Sequence, residues 1–232
     1  MEERNMDTAK IEKMEIFFGH QSVGQNIIEG IGQIDGNIPV YSHPPTDSTA
    51  GIYHVYIGEN GNPKRKIDEF VKMAESIPDT VKATTFMKFC FLDIDETTDI
   101  NSLFDYYKAE METLGESKGN LNIIHFTVPL MAKQTGLKAA AKKILGKNVT
   151  GTNDNLNRFE FNELIRKSFG KRVFDLAKYE STLPDGSRLT AVNTGVPYEI
   201  LYPEYSDDGS HLNKSGSRYI AEELFVFLAS QM

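Results

Sequence analysis

The sequence predicts an α/β fold, a three-layer sandwich in which a parallel sheet of five strands is covered by helices on both faces. Short apolar runs of strand length alternate with helical periods from one end of the chain to the other, which is typical of βαβ units. No internal repeat, low-complexity tract or long linker interrupts this alternation. Because 232 residues suffice for one α/β domain with a sizeable core, we expect a single domain over residues 1–232.

The apolar runs give the strands. Five are predicted, at Met14–Phe18, Ile52–Ile57, Met87–Asp93, Leu121–Val128 and Arg172–Leu176. Between them, apolar residues at helical spacing predict a helix that follows Ser22, one that opens at Pro63, and one through residues 103–114. Two further helices are predicted from about 155 to 169 and from about 215 to 228.

Composition excludes several classes of function. The net charge of −8 argues against a nucleic-acid surface, because phosphate binding requires clustered Lys and Arg. A single cysteine, Cys90, permits neither an internal disulfide nor a Cys-based metal cluster, and its apolar neighbours indicate a thiol packed in the core. No His, Asp and Glu cluster has metal-ligand spacing, so we expect no metal and no cofactor.

The sequence predicts no membrane span, since no apolar stretch approaches roughly 18 residues. The first dozen residues are charged and lack the apolar region of a signal peptide, which indicates a cytoplasmic protein. A chain from which a leader had been removed would look the same, so the compartment stays open. The oligomeric state is not indicated.

Ser22 occupies a position suited to a nucleophile. It follows the first predicted strand through Gly19-His20-Gln21 and begins a helix, at the sheet edge where reactive groups of parallel sheets collect. Free backbone N–H groups at the helix start can stabilise an oxyanion. The alternative is that Ser22 is only an N-cap, for which serine is a favoured residue.

Asp208 and His211 supply the groups that a serine nucleophile needs. They lie three residues apart across a Gly-containing turn, just before the last predicted helix. The carboxylate can hold the imidazole tautomer and leave the other ring nitrogen to accept the serine proton. An Asp-x-x-His pair alone is a weak motif, but together with a serine after the first strand it predicts a Ser-His-Asp triad.

The two ends of the chain resemble the SGNH (GDSL-like) hydrolases, which are Ser-His-Asp esterases and lipases on a flavodoxin-like sheet. The resemblance rests on strand-Gly-x-x-Ser at the start and on Asp-Gly-Ser-His-Leu-Asn-x-x-Gly over Asp208–Gly216. It implies that Ser22 is the nucleophile, His211 the base and Asp208 its orienting partner. The first block departs from the family, because it reads Gly19-His20-Gln21-Ser22 and not Gly-Asp-Ser. For His20 we expect packing or substrate contact.

The resemblance also implies two further oxyanion donors, a glycine after the second strand and an asparagine after the third. Gly61 best matches the glycine, with Asn60 as a side-chain candidate, although a tight turn explains both residues equally well. The asparagine is missing, since Asp93 stands at the end of the third predicted strand. A carboxylate would repel developing negative charge, so Asp93 is expected to bind substrate or pair with a cation.

A literal Gly-Thr-Asn-Asp occurs at residues 151–154, but it follows the fourth strand and no apolar strand precedes it directly. We therefore interpret it as a loop followed by an N-cap and expect Asn153 to lie far from Ser22. His125, inside the fourth predicted strand, is expected to be a hydrogen-bonded core residue.

The sequence therefore predicts a serine hydrolase that cleaves small acyl esters through an acyl-enzyme. O-acetyl groups on carbohydrate are one candidate substrate, indicated only by the Gln21-Ser22 pair. An acyltransferase on the same triad is the nearest alternative. The missing asparagine keeps open a catalytically inactive binding module on this scaffold. A nucleotide or flavin binder is a further alternative, but residues 20–24 match a phosphate loop poorly.

Overall fold

The computed structural model describes residues 7–34, 38–42, 49–136, 144–145, 149, 151–193 and 195–231. The strands are β1 (Glu15–His20), β2 (Val40–Tyr41), β3 (Gly51–Tyr56), β4 (Ala83–Met87), β5 (Leu121–Phe126), β6 (Val173–Phe174), β7 (Thr190–Asn193) and β8 (Val196–Glu199). The helices are α1 (Thr8–Ile11), α2 (Ser22–Ile34), α3 (Pro63–Glu75), α4 (Ile100–Ser117), α5 (Asn153–Phe169), α6 (Leu176–Glu180) and α7 (Lys214–Ser230).

The main sheet has six strands in the order β2-β3-β1-β4-β5-β6, and every pairing in it is parallel. Without the edge strand β2, the sheet has the flavodoxin-like order, and four of its five strands coincide with predicted ones, so the α/β prediction is confirmed. The sixth, β2, is a two-residue edge strand that the sequence analysis did not find. The antiparallel pair β7–β8 forms a separate small sheet and was also not predicted.

Two apolar clusters cover the two faces of the sheet. One joins the helices α2 and α7 to the sheet, with Val23, Ile27 and Leu224 among its buried residues. The other joins α3, α4 and α5 to the opposite face, through residues such as Phe70 and Phe161. Nearly every residue of β1, β4 and β5 is buried, as is typical of parallel strands covered on both faces.

The third predicted strand was placed wrongly. The structure has the strand at Ala83–Met87, and the predicted range Met87–Asp93 is mostly a loop with a 3₁₀ turn at Phe91–Asp93. In the strand register, residues 84–87 pair with residues 16–19 of β1, so the strand begins at small and β-branched residues that the apolar run does not include. The apolar residues Phe89, Cys90 and Phe91 are buried although they lie outside the strand, because their side chains pack in the core next to the loop.

The parallel sheet gathers the carboxyl ends of β1, β3, β4 and β5 at one edge, where the loops that carry the candidate residues begin. No helix within the described ranges is both long and apolar enough to cross a membrane.

Candidate active site

Ser22 is the first residue of α2, and its turn is fastened to the neighbouring strand. The Gln21 side-chain amide donates to the carbonyls of Ile57 and Gly58, over 3.0 and 2.9 Å, and so ties the β1–α2 turn to the loop after β3. The Ser22 hydroxyl is buried and has no hydrogen-bond partner among the residues that the structure describes. A buried, unpartnered hydroxyl is costly, and such groups in folded proteins often have a functional reason.

His20 lies directly beneath this turn and is fully buried. Its Nδ1–H donates to the Gln21 carbonyl over 2.9 Å. Its Nε2 is therefore the acceptor of a hydrogen bond from His54 Nδ1–H, over 3.0 Å. Burial is the main reason that the pKa of His20 falls to about 3, which keeps the ring neutral. A Cβ at Gly24 would lie 2.3 Å from the Cβ of His20, so the close packing of this histidine requires glycine there. Of the two expectations for His20, the geometry favours packing.

Asp208 and His211 form a close pair in the loop before α7. His211 Nδ1 donates to Asp208 Oδ2 over 2.7 Å, while Asp208 Oδ1 accepts from the backbone N–H groups of Ser210 and His211, both over 2.8 Å. Gly209 has a φ of +83°, which the turn between them requires. Partial burial raises the pKa of Asp208, but these hydrogen bonds outweigh it and lower the pKa to about 2.

The rest of the C-terminal motif has a structural role at each position. Leu212 is buried in the core. Asn213 is the N-cap of α7, and its Oδ1 accepts from the Gly216 N–H over 3.0 Å. A Cβ at Gly216 would lie 2.5 Å from the carbonyl oxygen of Tyr205, so α7 can approach the 3₁₀ turn Pro203–Tyr205 only with glycine at this position.

The loop of His211 is attached to α2 and to the loop after β4. The Leu212 N–H donates to Asn26 Oδ1 over 3.2 Å, one helical turn beyond Ser22. The His211 ring meets the Phe91 ring edge to face, with centroids 5.3 Å apart. The structure thus brings the His211 loop to the start of α2, but Ser22 Oγ and His211 are not hydrogen bonded in it.

Gly61, Asn60 and Asp93 form a different arrangement from an oxyanion hole. Asp93 is buried and makes a salt bridge with the fully buried Lys66, whose Nζ lies 2.6 and 2.9 Å from its two carboxylate oxygens. Asp93 also accepts from the N–H groups of Gly61 and Cys90, over 2.9 and 2.6 Å. Lys66 Nζ donates in addition to Asn60 Oδ1 over 2.9 Å.

This cluster links the loops after β3 and β4. Asp93 pairs with a cation, which was one of the two expectations for it. The Gly61 N–H is already used, so it donates to Asp93 and not into the space around Ser22. The Gly58 N–H is used as well, since it donates to Glu69 Oε2 over 2.6 Å. The N–H of Ser22 itself therefore stays as the first candidate for an oxyanion donor.

The Asn153 side chain of the Gly-Thr-Asn-Asp segment is bound to Glu96 and Asn193. Asn153 Nδ2 donates to Glu96 Oε2 over 3.0 Å, and its Oδ1 accepts from Asn193 Nδ2 over 2.9 Å. The helix begins at Asn153 with Thr152 in the N-cap position, but no side-chain cap bond forms there. His125, in β5, pairs with the hydroxyl of Tyr107 over 2.9 Å and stacks on Phe169, as a core histidine does.

Sequence reasoning missed a group of buried charged residues behind the site. Lys88, Arg158 and Glu180 are all at most 2% exposed. Burial lowers the pKa of Lys88 and raises that of Glu180, and Glu180 Oε2 accepts from the Leu130 N–H over 2.6 Å. No periodic pattern distinguishes such residues from exposed ones. In the ranges described, no three His, Cys, Asp or Glu side chains are arranged to hold a metal ion.

No protein-family model and no curated protein matches the sequence significantly. Solved structures do match over nearly the whole chain. A protein from Desulfitobacterium hafniense assigned to the G-D-S-L family of lipolytic proteins is 13% identical with a TM-score of 0.52, over 93% of this chain and 99% of that one. A lipase/acylhydrolase from Enterococcus faecalis is 10% identical with a TM-score of 0.55, over 94% and 96% of the two chains.

At such identities the likeness shows a shared fold, and it does not show which reaction the protein catalyses. The likeness extends over nearly the whole of both chains and so concerns the fold as a whole. The resemblance found in the sequence is thereby confirmed at the level of the fold, and this chain has the fold of the SGNH (GDSL-like) hydrolases.

Proposed function

We propose that the protein is a serine hydrolase that cleaves small acyl esters, with Ser22 as nucleophile, His211 as base and Asp208 as its orienting partner. The observation that carries the proposal is the Asp208–His211 pair, held at 2.7 Å in a loop that is hydrogen bonded to the helix beginning at Ser22. The buried, unpartnered hydroxyl of Ser22 supports it, because a structural N-cap serine would accept a backbone N–H.

The chemistry follows from the hydrogen bonds of His211. Because Nδ1–H donates to Asp208, Nε2 carries the lone pair and can take the Ser22 proton as Oγ attacks the ester carbonyl. The protonated ring then gives that proton to the leaving alcohol, and the acyl group stays on Ser22 Oγ. Water, deprotonated by the same ring, then attacks the acyl carbonyl. The bond to Ser22 Oγ breaks, the acid leaves, and the ring returns the proton to Oγ. Asp208, whose pKa is about 2, stays ionised and stabilises the imidazolium.

Binding of substrate must bring Ser22 Oγ into line with His211 Nε2, since the two are not hydrogen bonded in this structure. Catalytic hydrogen bonds are often long or misaligned in unliganded enzymes and shorten in the complex. The Ser22 N–H, at the start of α2, is the proposed oxyanion donor, supported by the positive end of the helix dipole. The proposed role of Gly61, Asn60 and Asp93 is structural. Together with Lys66 they hold the loops after β3 and β4 together.

The alcohol part of the substrate is less well indicated. The Gln21 side chain is used to fasten the loop after β3, so the Gln21-Ser22 pair gives no support for a carbohydrate ester. Hydrolysis of O-acetyl groups on carbohydrate therefore stays a prediction from the sequence alone. The same holds for the acyltransferase alternative, which differs only in the acceptor of the acyl group.

A fluorophosphonate probe and a p-nitrophenyl acetate assay test the proposal together. The probe should label Ser22, and Ser22→Ala and His211→Ala should each lower turnover by roughly a thousandfold or more, because nucleophile and base act as a unit. Asp208→Ala should cost less. Ser102→Ala, on the exposed side of α4, is the matched serine control and should keep full turnover.

Wild-type turnover in a folded Ser22→Ala variant would contradict the proposal. Labelling without turnover would indicate that the ester tested is not a substrate, whereas neither labelling nor turnover would indicate an inactive binding module. Acetylated sugar in the products when sugar acceptors are added would identify an acyltransferase.

A further inference from the structure

Two buried asparagines of α5 bind the segment after β5 in the same way. Asn162 Oδ1 accepts from the Val128 N–H over 2.7 Å, and its Nδ2 donates to the Val128 carbonyl over 3.1 Å. Asn155, two turns earlier, makes the same pair of bonds with Met131, over 3.0 and 2.6 Å. Both asparagines are fully buried. Each side-chain amide thus pairs with both the N–H and the C=O of one residue, as a neighbouring strand would do, and these backbone groups would otherwise be unpaired.

Asn155 differs from Asn162 because it continues into a second link. Arg158 Nη1 donates to Asn155 Oδ1 over 2.7 Å, and Arg158 Nε donates to the Phe91 carbonyl over 3.0 Å. Arg158 is 2% exposed, and burial lowers its pKa to about 10, so the guanidinium stays charged at neutral pH. The planar guanidinium can serve both acceptors at once, which a lysine ammonium at the same place could not do with the same geometry.

Both links end at the loop of His211. The carbonyl of Phe91 accepts the hydrogen bond from Arg158. The ring of Phe91 packs edge to face against the His211 ring. Ala132, next to the Met131 that Asn155 binds, donates its N–H to the Gly209 carbonyl over 2.8 Å, two residues before His211.

We propose that Asn155 and Arg158 are positioning residues that hold His211 from two sides, through Phe91 on one and through Met131–Ala132 on the other. The inference rests on the proposed function of His211 as the base. Neither residue touches the reacting atoms, and their effect comes from the geometry of the imidazole. A displacement of a catalytic group by about 1 Å can cost on the order of a hundredfold in rate.

The test compares Asn155→Ala and Arg158→Lys with Asn162→Ala. The Asn162 variant is the matched control, because it removes the same buried clamp from the same helix but has no link to Phe91 or Gly209. We expect Asn155→Ala and Arg158→Lys to lower kcat by about tenfold to a hundredfold with KM little changed. Asn162→Ala should lower the melting temperature by a similar amount and keep kcat within about twofold.

A second measurement does not depend on turnover. The Nδ1–H proton of His211, which is bonded to Asp208, should give a downfield NMR signal in the wild type that broadens or shifts in Asn155→Ala and Arg158→Lys but not in Asn162→Ala. If Asn155→Ala does not fold, Arg158→Lys and Phe91→Leu test the inference in its place, since both variants keep the hydrogen bonds between Asn155 and Met131.

Equal effects of Asn155→Ala and Asn162→Ala on kcat, or an unchanged His211 signal in all variants, would overturn the inference. Failure of the proposed function has a different signature. In that case Ser22→Ala would keep the turnover of the wild type, while the His211 signal would still show whether the two residues hold the ring.

Discussion

The Leu212 N–H and the Asn26 side chain, 186 positions apart in the sequence, are joined by a hydrogen bond of 3.2 Å. Asn26 lies one helical turn after Ser22, and Leu212 follows His211 directly. This bond, with the packing of α2 against α7, is what brings the two ends of the chain to one place. The relative position of the proposed nucleophile and base therefore depends on a contact that involves neither of them.

Asn26→Ala should impair both stability and turnover. It leaves the N–H of the buried Leu212 without its acceptor, which costs about 1–3 kcal/mol. Loosening of the His211 loop should lower kcat by roughly tenfold. Urea unfolding and ester hydrolysis measure the two effects. Asn26→Asp keeps the acceptor oxygen and should retain most of both, so equal losses in the two variants would show that this bond is not the cause.

Two glycines of α2 offer a matched test of the packing between α2 and α7. A Cβ at Gly30 would lie 2.1 Å from the carbonyl oxygen of Ser217, whereas a Cβ at Gly32 would meet nothing within 4 Å. We expect Gly30→Ala to destabilise the protein by about 1–3 kcal/mol, because the helices must move apart. Gly32→Ala should be neutral or stabilise by up to about 1 kcal/mol, since alanine is favoured over glycine in helices. Equal melting temperatures for the two variants would contradict the close approach.

The sequence was most informative where the structure depends on local spacing. Asp208 and His211 pair across a single turn, so their separation in the chain, together with a serine after the first strand, allowed the contact to be predicted. The helix limits were also close, because apolar periodicity and the proline at the start of α3 define them. In contrast, β4 was misplaced by four residues, since the apolar run after it continues the pattern of a strand without forming one.

The oxyanion candidates show what spacing does not determine. Gly61 was predicted from its place after the second strand, but its N–H is used by Asp93, 32 residues further along the chain. The burial of Lys66 and Arg158 could not be predicted from the sequence either, because the partner of each lies in a different part of the chain. Such assignments require the tertiary positions of at least two segments.

The salt bridge between Lys66 and Asp93 should be important for stability because both side chains are fully buried. Lys66→Met leaves the carboxylate without its cation, and Asp93→Asn leaves the ammonium without its anion, so each should destabilise by about 3–5 kcal/mol. The double variant should cost less than the sum of the two, since no uncompensated charge remains buried. Denaturant unfolding of the four proteins gives the coupling energy, and strict additivity would show that the pair does not interact as described.

The carboxylate of Asp208 should make the protein's stability depend on pH in the acid range. Its hydrogen bonds with His211 and Ser210 lower the pKa to about 2 in the folded state, from about 3.9 when unfolded. A lowered folded-state pKa means that the unfolded chain binds more protons between these values. The stabilisation is therefore present above about pH 4 and is lost as the pH falls toward 2.

Asp208→Asn should remove this contribution. The difference in unfolding free energy between the wild type and Asp208→Asn should therefore be larger at pH 5 than at pH 3. The side chain of Asp208 is 56% exposed, so solvent screening should keep the change modest. Urea unfolding of both proteins at the two pH values measures it. A difference that is the same at pH 5 and pH 3 would show that the Asp208 carboxylate is no better stabilised in the folded protein than in the unfolded chain.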